Sequence, residues 1–330
     1  MKIQRLLQNL LREAGIAVAL ILLIVVFLIF SPEFGTLSNW SNILTQITIN
    51  SIIAVGMTIV ILIGGIDLSV GSVLALCAVV SAIILSSKSM PTSVAILISI
   101  LAGLGIGIII GFLNGAITEK WKIHSFVITL GTMNIARGAA LEYTHATTIY
   151  GVAPVYIKFG GTQILGFIPA IFVVALILII IGRFILARTV FGRFVYTIGN
   201  NEEAVRLSGH NTSIYKVIAF AISGLMAGIA GLIYVARMTV ANAAIGVGYE
   251  LNAIAAVIIG GTSFSGGKGS MTGTFLGACL IGVLTNGLIL MGVSSFIRQM
   301  VIGLVLVVAV IIDTYRAKIS TALQYDKPVL

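Results

Sequence analysis

Apolar residues run along this chain in long blocks separated by short polar or glycine-rich breaks. About 20 apolar residues rising 1.5 Å each cross a hydrocarbon core. Counting such blocks predicts an all-α polytopic membrane protein, one transmembrane domain over 1–330 with about ten helices. The predicted spans are 14–31, 43–64, 68–86, 92–118, 126–142, 164–186, 214–236, 242–262, 271–292 and 296–313. The eighth is the weakest. Its uninterrupted apolar part, Ala253 to Ile259, is too short to span alone and Glu250 and Asn252 stand at its start, so a re-entrant segment is the alternative reading.

Composition agrees with the pattern. The chain is 59% hydrophobic and 9% charged, against about 45–50% and 25% for a soluble domain. Its mean hydropathy is +1.17. A net charge of +9 raises nucleic acid as a partner, but the basic residues are dispersed among short loops, where they set orientation instead. With a cytoplasmic N-terminus, the inside loops hold Lys2, Arg5, Arg12, Lys120, Lys122, Arg183, Arg188, Arg193, Arg206, Lys216, Lys268, Arg316, Lys318 and Lys327. Only Lys88, Lys158, Arg237 and Arg298 fall outside. Dropping the eighth span would send Lys268 and the basic tail outside, against the positive-inside bias, so both termini are expected in the cytoplasm. The first apolar run follows Lys2, Arg5 and Arg12, and no small-residue cleavage site comes before Pro32, so it is read as a retained span. Cys77 and Cys279 sit inside apolar runs without metal-ligand spacing and read as packing residues.

Small residues predict where helices meet. Gly107, Gly111 and Gly115 share one helical face, as do Gly224 and Gly228, and Gly273 and Gly277. Such spacing lets backbones approach closely in lipid. The stretch Gly64-Gly65-Ile66-Asp67-Leu68-Ser69-Val70-Gly71-Ser72 interrupts two apolar runs. A carboxylate at bilayer depth costs about 2.5–3.5 kcal/mol on insertion scales, so a segment like this lines a cavity or path inside the protein. A faint echo follows later: Val60-Ile61-Leu62-Ile63-Gly64-Gly65 resembles Val257-Ile258-Ile259-Gly260-Gly261, each ahead of a Ser/Gly-rich break. Interrupted segments in corresponding halves point to a transport path in repeat-built transporters.

Asp67 has two readings, a hydrogen-bonding group on the path or the N-cap of the third span. Asn50, Asp67, Ser69, Asn114, Glu250 and Asn252 are the pathway candidates. Gln46, Thr48, Ser51, Thr129, Thr132, Asn134 and Asn286 also place hydroxyls and amides in spans, where they either glue helices together or meet a polyhydroxyl solute. Arg137, inside the fifth span, is expected to snorkel or pair with Glu142. His124, His145 and His210 share no helical face, so neither a metal site nor a proton relay is expected of them. Gly266-Gly267-Lys268-Gly269-Ser270 looks like a phosphate loop but fails on spacing: Thr262 stands where the first glycine is required and Gly269 where the hydroxyl is required. No nucleotide site is expected on this chain, nor a paired nucleophile and base.

The loop Arg183 to Ser213 is the long basic one. Its Gly199-Asn200-Asn201-Glu202-Glu203-Ala204-Val205-Arg206-Leu207-Ser208-Gly209 resembles the Glu-Ala-Ala, three residues, Gly loop of ATP-binding-cassette permeases, with Val205 in place of the second Ala. Residues 200–208 are expected to form an amphipathic turn-helix-turn, with Ala204, Val205 and Leu207 as apolar anchor, Glu202, Glu203 and Arg206 as charges and Gly209 ending the helix. An ordinary helix lying on the membrane surface is the alternative.

Together with Gly248-Tyr249-Glu250-Leu251-Asn252 through Ser263 and the Gly266 to Gly269 turn, these motifs resemble the ribose-type permeases of bacterial ABC sugar importers, from about Ser31 to Asp313. The resemblance implies a permease subunit in the bacterial plasma (inner) membrane that translocates a monosaccharide and is itself no enzyme. It implies ATP and Mg on a partner cassette ATPase, an extracytoplasmic sugar-binding protein, and a second permease copy forming a homodimer or a heterodimer. Asn200, Glu202, Glu203, Ala204, Arg206 and Gly209 would then couple to the ATPase, and the outer loop with Tyr150, Pro154 and Tyr156 would face the binding protein. A nucleoside, polyol or furanosyl signal is the alternative cargo within that family. An ion-coupled secondary transporter is the rival from another class, and an integral-membrane enzyme a more distant one.

Overall fold

The computed structural model describes residues 2–325, with side chains described for residues 13–315. Lys2, Arg5, Arg12, Arg316, Lys318 and Lys327, all expected inside, lie outside the described side chains. The chain is almost wholly helical: α1 (Lys2–Phe30), a 3-10 turn (Pro32–Gly35), α2 (Leu37–Leu62), α3 (Val70–Ser86), α4 (Thr92–Trp121), α5 (Ser125–Thr144), α6 (Pro154–Gly161), a hairpin of β1 (Gln163–Ile164) and β2 (Ile168–Pro169), α7 (Ala170–Arg188), α8 (Val190–Asn200), α9 (Glu202–Leu207), α10 (Thr212–Met238), α11 (Tyr249–Ile259), α12 (Met271–Leu290) and α13 (Ser295–Tyr325).

Every predicted span contains a helix, with three differences. Among the described residues, seven helices are long and apolar enough to cross a membrane: α1, α2, α4, α7, α10, α12 and α13. The α3 and α11 helices are apolar but shorter, and α5 carries Arg137 and Glu142. The sixth span starts at Ala170 rather than 164, because the β1–β2 hairpin uses the preceding residues. The eighth is only half helical: α11 rises about 16 Å, roughly half a hydrocarbon core.

The C-terminal half of α2 is apolar on nearly all faces, and the helix runs through the middle of the molecule against α7, α10, α11 and α12, with every side chain from Ser51 to Ile63 buried. By contrast, the apolar windows of α1 and α13 are 6% and 0% buried, as expected of helices that face lipid. Asn39 in α2 and Asn286 in α12 exchange two amide hydrogen bonds of 2.9 Å, which satisfies both carboxamides in the apolar interior.

The glycine faces meet as pairs. A Cβ at Gly107 would collide with the carbonyl of Gly224 and one at Gly224 with that of Gly107, so α4 and α10 cross with their backbones in contact. Gly111 and Gly115 continue the crossing against Phe220 and Val217. Gly273 and Gly277 of α12 are set in the same way against the carbonyls of Gly260 and Ala256.

Candidate functional site

The two sequence breaks end their helices with the same hydrogen bonds. After α2, Gly64 N donates to Ile61 O and Gly65 N to Val60 O; after α11, Gly261 N donates to Ile258 O and Thr262 N to Val257 O. Gly64 and Gly261 take φ of +80° and +83°, the left-handed position that such a helix end requires and glycine supplies. The breaks also touch. Leu62 O, left over at the end of α2, accepts from Gly267 N at 2.9 Å.

The first break is held by three neighbouring helices. Ser125 and Thr129 of α5 accept from Ile66 N (3.0 Å) and Leu68 N (3.1 Å). Asp67 is buried; its Oδ1 accepts from Ser69 N (3.0 Å) and Ser69 Oγ (2.6 Å), and its Oδ2 accepts from Ser223 Oγ of α10 (2.8 Å). Asn114 of α4 donates to Ser69 Oγ at 3.0 Å and accepts from Thr132 Oγ1 at 2.6 Å. Asp67, Ser69 and Asn114 therefore form one network in which their polar atoms are spent on one another and on Ser223 and Thr132. Asp67 is not the N-cap of α3: Ser69 holds that position, and the carboxylate accepts from it.

Within the expected cytoplasmic loop 187–213, between the end of α7 and the start of α10, the chain forms the two helices α8 and α9. Thr189 caps α8 by accepting from Gly192 N, and Asn201 caps α9 by accepting from Ala204 N. The α8 helix clamps the turn of the second break: Tyr196 Oη donates to Gly269 O at 3.0 Å and Asn200 Nδ2 to Gly267 O at 3.0 Å. A Cβ at Gly199 would overlap both Leu62 O and Gly267 N. Burial pushes the Tyr196 phenol above its usual range, which keeps it a donor. Phe194 stacks on Tyr215 of α10 with ring centroids 4.3 Å apart.

Gly209 stops α9 at φ +85°, donating to Arg206 O while His210 N donates to Val205 O. The expected apolar anchor divides. Val205 turns inward, whereas Ala204 and Leu207 are exposed. Glu203 and Arg206 pair with each other at 2.7 Å on the open face, and this contact raises the Arg206 pKa. Glu202 turns back instead, accepting from Lys216 Nζ (2.6 Å) and Thr212 Oγ1 (3.0 Å).

The remaining candidates lie elsewhere. Asn50 is half-buried in α2 and its Oδ1 accepts no hydrogen bond among the described residues. Glu250 lies against the first turn of α3, where a Cβ at Gly71 would stand 2.5 Å from its Oε2; its Oε1 accepts from Gly248 N at 3.1 Å. Asn252 is half-buried one turn into α11.

Arg137 does not pair with Glu142. Its guanidinium donates to the carbonyls of Ala243 and, at 2.6 Å, Ile245, in the stretch that precedes α11. That stretch starts where Ala241 pairs with Ile149 in the loop after α5 and ends with Gly246 pressed on Gly71 in α3, so it carries the eighth segment inward without a helix. Unwound backbone at this depth is tolerated because protein surrounds it and satisfies its carbonyls. Tyr156 is likewise not free to meet a partner. It is buried, its hydroxyl donating to Leu232 O at 3.0 Å, while Tyr150 is exposed and Pro154 starts α6.

Tyr196, Ser223, Ser125, Glu119 and Lys216 all hold the site, yet none was a sequence candidate. Each is a single polar residue with no local motif, and its partner lies tens of residues away in the chain.

Residues 39–310 match the family described as branched-chain amino acid transport system / permease component. The chain is 41% identical over 307 residues to the ribose import permease of Escherichia coli (strain K12), which covers 92% of this chain and 94% of that protein. It is 41% identical over 304 residues to the ribose import permease of Bacillus subtilis (strain 168), covering 92% of each. It is 35% identical over 300 residues to the D-allose transport system permease of Escherichia coli (strain K12), covering 91% of this chain and 90% of that one. No solved structure matches the chain. The match takes in both breaks and the α8–α9 segment, and it places this chain in the transport-system permease family, among its ribose-type ABC importer members.

Proposed function

We propose that this chain is the membrane permease of a binding-protein-dependent ABC importer that carries a ribose-like monosaccharide across the bacterial plasma (inner) membrane. ATP and Mg are bound on a separate cassette ATPase, an extracytoplasmic binding protein delivers the sugar, and two permease copies form the path. One observation carries this reading: α9 presents Glu203, Ala204, Arg206 and Leu207 outward, while the helix before it is bonded to the turn of the second break. A docking surface fastened to the breaks is what an external motor needs. The sugar cargo rests on the relatives named for ribose and allose, and on Asn50, an uncharged amide with an unspent oxygen that suits a hydroxyl.

The ten-crossing topology with cytoplasmic termini is supported by the placement of the turns. The end of α2, the Gly266–Gly269 turn and α8 meet at one end of the bundle, so the chain must return to that end between α10 and α12. The unwound stretch together with α11 makes that return. Lys268 then lies on the same side as Arg193 and Lys216, as the positive-inside bias requires. Purification of the tagged chain from its native membrane tests the proposal. A cassette ATPase and a sugar-binding protein should accompany it, and the ligand of that binding protein identifies the cargo. An assembly of this chain alone would overturn the reading.

A further inference from the structure

Lys216 stands in the first turns of α10, only 18% exposed, between two carboxylates from different elements. Its Nζ lies 2.6 Å from Glu202 Oε2 of α9 and 3.1 Å from Glu119 Oε1 of α4. The outer oxygens are also engaged: Glu119 Oε2 accepts from Lys122 Nζ (2.8 Å) and Ser213 Oγ (2.7 Å), and Glu202 Oε1 from Thr212 Oγ1. Glu119 is 6% exposed, so losing Lys216 would leave a nearly buried carboxylate with its Oε1 unpaired and, among the described residues, only the largely exposed Lys122 as its cation.

What lies further along α4 and α10 gives this cluster a role. Ser223, seven residues or two turns beyond Lys216 on the same face of α10, donates to Asp67. Asn114, just over one turn before Glu119 in α4, donates to Ser69. Along this crossing the two helices are locked backbone to backbone, by Gly115 against Val217 between these points and by Gly111 against Phe220 just beyond Asn114. A displacement of α9 is thus passed by one ammonium to a rigid helix pair, and by that pair to the first membrane break. Without the ammonium, α9 is a six-residue helix whose remaining hydrogen bond to α10, among the described residues, is the Thr212 hydroxyl on Glu202.

We infer that Lys216 is a positioning residue for energy coupling, a two-sided latch that fixes the ATPase-facing helix α9 to the α4–α10 pair and transmits its movement to the Asp67 break. The inference rests on the importer reading above.

The test uses the assembled transporter in proteoliposomes and the full-length permease in lipid nanodiscs. In K216M the ATPase should still co-purify at the wild-type ratio, while sugar moved per ATP hydrolysed falls about tenfold, within the range found for mutations along coupling networks. K216R should restore coupling. In nanodiscs, with Cys77 and Cys279 replaced by Ala, spin labels at Leu207→Cys and Lys120→Cys should give a narrow distance distribution that broadens in K216M and narrows again in K216R. Wild-type sugar per ATP in K216M, or an unchanged distribution, would overturn the latch. If K216M fails to fold, Glu119→Gln serves: coupling equal to wild type in Glu119→Gln overturns the inference, and a fall with assembly intact supports it. If the wild-type permease binds no ATPase, the importer reading fails, and the spin-label distances still judge the latch.

Discussion

Leu62 O accepts a hydrogen bond from Gly267 N at 2.9 Å, joining the end of one interrupted helix to the turn of the other. Gly199 of α8 is pressed against this same bond, so the α8–α9 segment, the first break and the second break meet at one point. Gly199→Ala would place a methyl group on both atoms of the bond. Overpacking of this kind costs about 1–3 kcal/mol. The melting temperature in detergent should fall and sugar uptake should be lost, whereas a variant that melts and transports as wild type would show the contact to be slack.

Asp67 accepts from Ser69 and Ser223 with both carboxylate oxygens. Asp67→Ala strands these donors in the interior at roughly 1–3 kcal/mol each, and Asp67→Asn keeps one acceptor oxygen and so costs less. Denaturant titration of the two variants should rank them in that order. Uptake by Asp67→Asn should be unaffected by collapsing the proton gradient. A stable Asp67→Asn that has exchanged proton-driven uptake for none would instead favour a secondary carrier.

Arg137 satisfies the carbonyls of Ala243 and Ile245 in the unwound stretch. Arg137→Met should expose that stretch to hydrogen exchange and destabilise the fold by about 1–3 kcal/mol. Arg137→Lys, which retains a donor on a flexible stem, should recover part of the loss. Equal exchange in wild type and Arg137→Met would contradict this role.

Asn50 offers an oxygen that nothing among the described residues uses. Asn50→Ala should leave stability unchanged or slightly raised, since it removes an unsatisfied buried group. Its uptake KM should rise. A fall in melting temperature with an unchanged KM would make Asn50 a packing residue.

What the sequence disclosed follows from locality. The breaks at Gly64 and Gly260, their echo, the stop at Gly209 and the glycine faces are short patterns in which backbone conformation or close approach dictates the residue, and the structure places each accordingly. Charge bias, too, required a return between α10 and α12. The short apolar part of the eighth segment, Ala253 to Ile259, already marked it as the weak one; what holds its unwound part was not legible, because Arg137 satisfies carbonyls more than a hundred residues away, and a lone arginine in an apolar run reads as a snorkelling side chain. The Lys216 latch was hidden for the same reason: Glu119 and Lys216 are separated by the five helices α5 to α9, and each alone resembles an ordinary loop-side charge. Tyr156, expected to face a partner with the rest of the outer loop, is buried against Leu232 instead, a placement set by the fold of that loop.

Uptake of labelled ribose into proteoliposomes holding the permease and its co-purified ATPase, with binding protein on one side and ATP on the other, tests the central claim most directly. Uptake should require ATP and binding protein together and should persist when ionophores collapse every ion gradient. Uptake that proceeds without the ATPase and stops when the gradients collapse would contradict the importer mechanism.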